Sequence, residues 1–153
     1  MLNFIELTHD NVNELKFDTN DDPVRPEFDL AFRLGPGRRV YVLEENNEYK
    51  AAICIAFVNR IPTNVEELSE FTLEDSNIAI AYTVWSNAPR AGRDIVFRLA
   101  TEMEKSNHVE RLITLSPKTD MAHKFHLNNG AFTLNNNATT DNYEYRLQRL
   151  PVV

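Results

Sequence analysis

The order of apolar runs in this chain predicts an α/β (α+β) architecture, a mixed and mostly antiparallel sheet with helices on both faces. Three stretches carry the prediction. In Asn77 to Ala100, Ile78, Ile80, Tyr82 and Val84 alternate with small or polar neighbours, whereas Ile95, Val96 and Leu99, continued by Met103 beyond the stretch, recur at helical spacing. The change of period falls on Ser86 to Gly92, so a strand runs through a tight turn into an amphipathic helix. Two strand-like runs, Arg39 to Glu44 and Tyr49 to Val58, flank Glu45-Asn46-Asn47-Glu48, which has hairpin turn chemistry. The compact apolar strand Arg111 to Leu115 is followed by a second helical pattern and a last strand pair. A strand, two helices, three strands, a helix, a strand, a helix and two strands pack naturally as one mixed sheet.

Taken from the start, Asn3 to Leu7 reads as a short strand, and Thr8 with Val12 and Leu15 as a capped short helix. The polar, proline-marked KFDTNDDPVRP suits a surface loop. Glu27 to Leu34 follows as a helix with Phe28, Ala31 and Phe32 on one face, ended by Gly35-Pro36-Gly37. After the hairpin, Asn59 to Ser76 is an acidic excursion with a short helix over Val65 to Phe71. Ser116-Pro117 is expected to cap and begin the helix that runs through His126, with Met121, Ala122, Phe125 and Leu127 partly buried and Asn129-Gly130 closing it. Phe132 to Leu134 and Tyr143 to Leu147 form the last pair across a polar loop.

With 153 residues, 42% of them hydrophobic, a single domain over residues 1–153 is expected. No apolar run has the length of a membrane span, and MLNFIELTHDNVNEL lacks the basic-then-apolar order of a signal peptide, so a cytoplasmic location is expected. Cys54, the only cysteine, lies in AAICIAF and reads as a small core residue. The net charge of −7 disfavours nucleic acid, whose affinity depends on Lys and Arg. Asp18, Asp21 and Asp22 in one loop, with Glu66, Glu67, Glu70, Glu74 and Asp75 in another, suit a cationic or neutral partner. Asp120, His123 and His126 share a helical face, but no other metal-ligating residues lie near them in sequence and no metal is expected. Asn137-Ala138-Thr139 matches a glycosylation acceptor, which has no role in a cytosolic protein.

A helix starting directly after a strand presents unpaired N–H groups and its positive dipole end to an anion. Arg90 and Arg93 stand where that dipole disfavours cations, which points to an anionic partner at the turn.

The chain resembles the GCN5-related N-acetyltransferase (GNAT) superfamily. In that family the strand ends in Gln/Arg-x-x-Gly-x-Gly/Ala and the next helix points at the pyrophosphate of acetyl-CoA. Here Gly92 matches the last glycine, Arg90 stands at the middle glycine and Asn87 at the leading residue. Thr119 to Phe132 is similar to the family's Asn-x-x-Ala-x-x-Phe-Tyr-x-x-x-Gly-Phe, with Ala122, Phe125, Gly130 and Phe132 in place and Thr119 and His126 at the departures. Only four glycines are present, and Gly92 and Gly130 are where this fold asks for them.

The resemblance implies a GNAT-like fold and an acetyl-CoA-dependent N-acyltransferase moving an acetyl group to an amine. The acidic loops favour a cationic acceptor, lying between the first-helix loop and the Asn59 to Ser76 excursion. It implies acetyl-CoA contacts at Val84, Asn87, Arg90, Ala91, Gly92, Arg93 and Thr119, with His126 at the general-acid position. Tyr82 is a further catalytic candidate, and Tyr143 and Tyr145 are reserves. The alternative is a catalytically silent module of the same fold, working as a homo-oligomer or on a partner, for instance within a phage particle.

Overall fold

A computed structural model describes residues 2–148. Among these, eight strands form one sheet, beginning with β1 (Asn3–Glu6), β2 (Arg38–Glu45), β3 (Glu48–Val58) and β4 (Ile78–Ser86). It continues through β5 (Arg111–Thr114), β6 (Ser116–Pro117), β7 (Phe132–Asn136) and β8 (Thr140–Tyr145). The spatial order is β1-β2-β3-β4-β5-β8-β6, with β7 also on β8. Every pairing is antiparallel except β4 with β5. The central strands are apolar on both faces, so each face needs its own cover. Helices α1 (Leu30–Arg33) and α2 (Val65–Phe71) lie against one core, which includes Val40, Cys54, Ile80 and Tyr82. Helix α3 (Ala91–Lys105) covers the other, with Ile53, Ile55, Leu99 and Leu112, and Phe125 of α4 (Asp120–Asn128) packs on the same side.

The β2–β3 hairpin turns on Asn46 and Asn47, both with positive φ, the backbone of a type I′ turn that asparagine tolerates. The excursion helix and the α3 pattern also occur where the sequence places them.

Four expected elements differ. Thr8 to Leu15 is a run of turns: the Val12 and Leu15 N–H groups bond four residues back to the Thr8 and Asn11 carbonyls, but the chain leaves that ladder at Lys16, which has φ 57° and bonds to the Asn13 carbonyl. The helix expected from Glu27 shortens to α1, capped by Asp29, since the Arg25 and Phe28 carbonyls accept from the Arg33 guanidinium instead. Ser116 and Pro117 pair with Asp141 and Thr140 as a strand, and Thr119 caps α4 in their place. The last two strands extend towards each other as Asn137 closes the turn onto Thr140 and Asn142, which leaves Leu147 outside.

Candidate active site

The site forms where β4 and β5 part. They pair in parallel from Ile78 with Arg111 to Ala81 with Thr114, and the Leu115 N–H donates to the Ala81 carbonyl. Beyond that point β4 turns away. The cause is a bulge: Cys54 pairs with Thr83 and Ile55 with Ala81, so Tyr82 has no residue opposite it. The gap opens into a cavity of about 320 Å³ between the bulge, the inner face of α3 and the first turns of α4. Val84, Val96, Leu99, Leu112 and Phe125 supply apolar walls, and Thr114, Ser116, His126 and Tyr145 supply polar groups. Among the described residues no charged side chain lines it.

Those polar groups form a chain. Ser116 Oγ donates to Thr114 Oγ1 at 2.8 Å and lies 3.2 Å from His126 Nε2. His126 Nδ1 lies 2.7 Å from the Tyr145 hydroxyl. The Tyr143 N–H donates to Thr114 Oγ1 at 3.0 Å. In one consistent proton order Tyr145 donates to His126, His126 to Ser116 and Ser116 to Thr114. The Thr114 hydroxyl proton is then left with no acceptor among the described residues. Burial lowers the His126 pKa to about 4, so the imidazole is neutral at physiological pH and bonds with one donor and one acceptor nitrogen. Burial also raises the Tyr145 and Tyr82 phenols, which stay protonated.

The mouth of the cavity lies at the Ser86 to Gly92 turn, anchored by the Asn87 N–H on the Lys50 carbonyl. Arg90 is the residue before α3 and adopts φ 64° and ψ −4°, the left-handed conformation that glycine adopts without strain. The first helical bond is Asp94 N–H to the Arg90 carbonyl, so the Gly92 and Arg93 N–H groups have no acceptor among the described residues. Gly92 is close-packed, since a Cβ there would stand 3.4 Å from both Phe125 and Ser86 Oγ. Holding a non-glycine residue in this conformation costs about 1–2 kcal/mol. Arg90→Gly is therefore expected to raise stability by about 0.5–1 kcal/mol in urea unfolding, after the added entropy of the unfolded glycine is offset. An unchanged or lower midpoint would show that the side chain compensates for its backbone.

The far side of the gap is closed. Arg25, buried, donates from Nε to the Tyr82 carbonyl at 2.9 Å and from a terminal nitrogen to the Leu115 carbonyl at 3.1 Å, bridging the two parted strands. Pro23 and Val24 form the adjoining wall. Asp22 holds this segment: its carboxylate accepts from the Val24 and Arg25 N–H groups, the Thr83 hydroxyl and Arg33.

Of the residues singled out in the sequence, Tyr82, Val84, Gly92, Thr119, His126 and the reserve Tyr145 line the cavity, whereas Tyr143 does not. Asn87, Arg90, Ala91 and Arg93 sit in the turn at its mouth but outside its lining, and the Arg93 guanidinium lies over Phe97, 5.1 Å from the ring centroid. Tyr82 is buried with its hydroxyl unpaired among the described residues. Asp120 and His123 are exposed while His126 points inward, so the three do not converge. Two acids expected near an acceptor are engaged internally, Asp22 with Arg33 and Asp21 with the Tyr49 hydroxyl. Thr114, Ser116 and Arg25 were not anticipated. Thr114 is a polar residue inside the apolar run RLITL, which is the one sequence signal that marks it.

No protein-family model matches the chain, and no curated protein matches its sequence. Solved structures do match its shape. Malonyl-CoA decarboxylase from Cupriavidus metallidurans superposes with a TM-score of 0.70 at 16% identity, over 95% of this chain and 60% of that one. GphF, a GNAT-like decarboxylase in complex with isobutyryl-CoA, gives 0.61 at 10% identity, over 71% and 78% of the two chains. A protein described as a GNAT-family acetyltransferase from Desulfovibrio desulfuricans gives 0.64 at 10% identity, over 97% and 100%. This chain has the GNAT fold. It spans only 60% of the length of the Cupriavidus decarboxylase. GNAT-fold neighbours thus include both acetyltransferases and decarboxylases, and one of them is in complex with an acyl-CoA.

Proposed function

We propose that the chain is an acyl-CoA enzyme that takes the pantetheine arm into the gap between β4 and β5 and acts on the thioester beside Thr114 and His126. The observation that carries this reading is the cavity at the bulge, narrow, apolar and ending on a four-membered hydrogen-bond chain. The turn at its mouth suits the pyrophosphate, with the Gly92 and Arg93 N–H groups free to donate and Arg90 and Arg93 adding charge. Val84 and Thr119 flank the path between turn and relay.

The geometry best supports decarboxylation of an acyl-CoA with a β-carboxylate, which needs no second substrate. The bond between the α-carbon and the carboxylate breaks, CO₂ leaves and the electron pair remains on the α-carbon and thioester oxygen. One proton then reaches the α-carbon and the thioester stays intact. Walls that are mostly apolar, with no charged side chain in the lining among the described residues, raise the energy of a carboxylate relative to neutral CO₂. Thr114 O–H can donate to the developing oxyanion, and the α-carbon takes its proton from solvent once CO₂ has left, since the relay ends on the Tyr145 phenol, which burial keeps protonated. Neutral His126 both donates and accepts, and so holds Ser116 and through it the Thr114 hydroxyl in place.

Transfer of an acetyl group to an amine is the second reading. It would require an acceptor to reach the thioester from the far side, where Arg25 stands. Among the described residues the Arg25 side chain bonds there to two main-chain carbonyls, and this route requires that it be displaced. No carboxylate lines the cavity to favour a cationic amine.

Calorimetric titration with CoA tests the shared part of both readings, and Arg90→Glu is expected to weaken binding. The reactions separate with malonyl-CoA and with acetyl-CoA plus a polyamine. Decarboxylation consumes malonyl-CoA without releasing a thiol, and His126→Phe should slow it by about 10²-fold or more. Thiol release that depends on the polyamine would instead favour acyl transfer. Absence of CoA binding at millimolar concentration would leave the silent, partner-binding module as the surviving reading.

A further inference from the structure

We infer that Asn142 is a positioning residue for the proposed reaction, setting the Thr114 hydroxyl by taking the Thr114 carbonyl out of the β5–β8 ladder. The inference rests on the decarboxylation reading and adds to it a residue that does not itself line the cavity. Ile113 stands opposite Glu144 and Ser116 opposite Asp141, with two residues between these pairs on either strand. The register is therefore unbroken and Thr114 stands opposite Tyr143, yet the ladder stops at Ile113 and resumes only at Ser116. A regular antiparallel ladder joins main-chain N–H groups to main-chain carbonyls. Here the Tyr143 N–H donates to Thr114 Oγ1 at 3.0 Å, and the Thr114 carbonyl accepts from Asn142 Nδ2 at 2.8 Å.

The Asn142 amide is held for this task. It is fully buried, its Nδ2 also donates to the Pro62 carbonyl at 3.1 Å, and its Oδ1 accepts from Asn137 Nδ2 at 2.8 Å. Both nitrogen contacts are carbonyls, so the partners themselves fix which way the amide points. The consequence falls on Thr114, whose Oγ1 accepts from both the Tyr143 N–H and Ser116 Oγ. With both lone pairs occupied the hydroxyl is left only to donate, as an oxyanion requires. Without the Asn142 amide the Thr114 carbonyl would compete for the Tyr143 N–H, and the hydroxyl would lose the bond that orients it.

The test is steady-state decarboxylation of malonyl-CoA by the whole chain carrying Asn142→Ala, Thr114→Val or both. Asn142→Ala is expected to lower kcat by about 10²-fold, with KM and the calorimetric affinity for CoA within about twofold of wild type. Thr114→Val should lower kcat by at least as much, and in that background Asn142→Ala should lower it no further. Should Asn142→Ala not fold, Asn142→Ser, which keeps one donor on a shorter side chain, serves in the same cycle. Losses that multiply in the double variant, or a change confined to KM, would make Asn142 a tie between β8 and Pro62 only and overturn the inference while leaving decarboxylation in place. A wild type that binds CoA and consumes no malonyl-CoA removes both.

Discussion

Asp22→Ala is expected to lower the unfolding free energy by about 3–5 kcal/mol, a large share of the roughly 5–15 kcal/mol that holds a domain folded. The Asp22 and Arg33 side chains are both fully buried, with Arg33 Nη1 2.9 Å from Asp22 Oδ2. Removing the carboxylate leaves a guanidinium in the core whose remaining partners are the Phe28 and Arg25 carbonyls and the Cys54 sulfur. It also releases the Val24 and Arg25 N–H groups and the Thr83 hydroxyl, so the loop that carries Arg25 loses its anchor. An uncompensated buried charge costs more than the intact pair contributes, so Asp22→Ala combined with Arg33→Met should be less destabilised than Asp22→Ala alone. Urea unfolding of the three proteins measures this. A loss below about 1 kcal/mol for Asp22→Ala would mean that water replaces the carboxylate in the core.

Acid should destabilise the chain through His126 well before carboxylates dominate. An unfolded histidine titrates near 6.5, whereas burial lowers His126 to about 4, so between these values the unfolded state binds a proton that the folded state excludes. The contribution of neutral His126 is complete above about pH 6.5 and declines as pH falls towards 4, by about 3 kcal/mol in all. Between pH 7 and pH 5 the wild type should lose about 2 kcal/mol more than His126→Gln, which has no group titrating there. The amide can also bond to Ser116 and Tyr145, so the comparison isolates the proton from the hydrogen bonds. Parallel pH profiles for the two proteins would show that His126 is charged in the folded state or that the core admits water around it.

What could be read from the sequence was local. The switch of period at Ser86 to Gly92, the Asn46-Asn47 turn and Gly130 after α4 each follow from short-range sterics, and all three are seen. The resemblance in Thr119 to Phe132 brought His126 to the cavity for the same reason, since helix geometry alone sets which face it occupies. Arg25 was not legible, because it bonds to carbonyls 57 and 90 residues away and lies in a loop that composition marks only as polar. Asp21 and Asp22 read as loop acids suited to a cationic partner on the same grounds, and only the tertiary structure shows them bonded to Tyr49 and Arg33. Thr8 to Leu15 differs for another reason: the spacing of Val12 and Leu15 does bury both, but two i→i−4 bonds form before Lys16 turns the chain with a positive φ.

The bulge at Tyr82 acts on β4 as a shift of reading frame. Before it, even-numbered Ile80 faces α1 and α2, and odd-numbered Ala79 and Ala81 face α3. After it the parity is exchanged: Thr83 reaches Asp22 and Trp85 joins the α1 side, while Val84 turns to α3. Deleting Tyr82 would leave the faces of Thr83, Val84 and Trp85 as they are, because Ala81 and Thr83 would then stand as consecutive partners of Ile55 and Cys54. It would instead straighten β4 and remove the irregularity at which β4 and β5 part. The length of this strand, counted to the single residue, is thus as much a determinant of the site as any side chain in it.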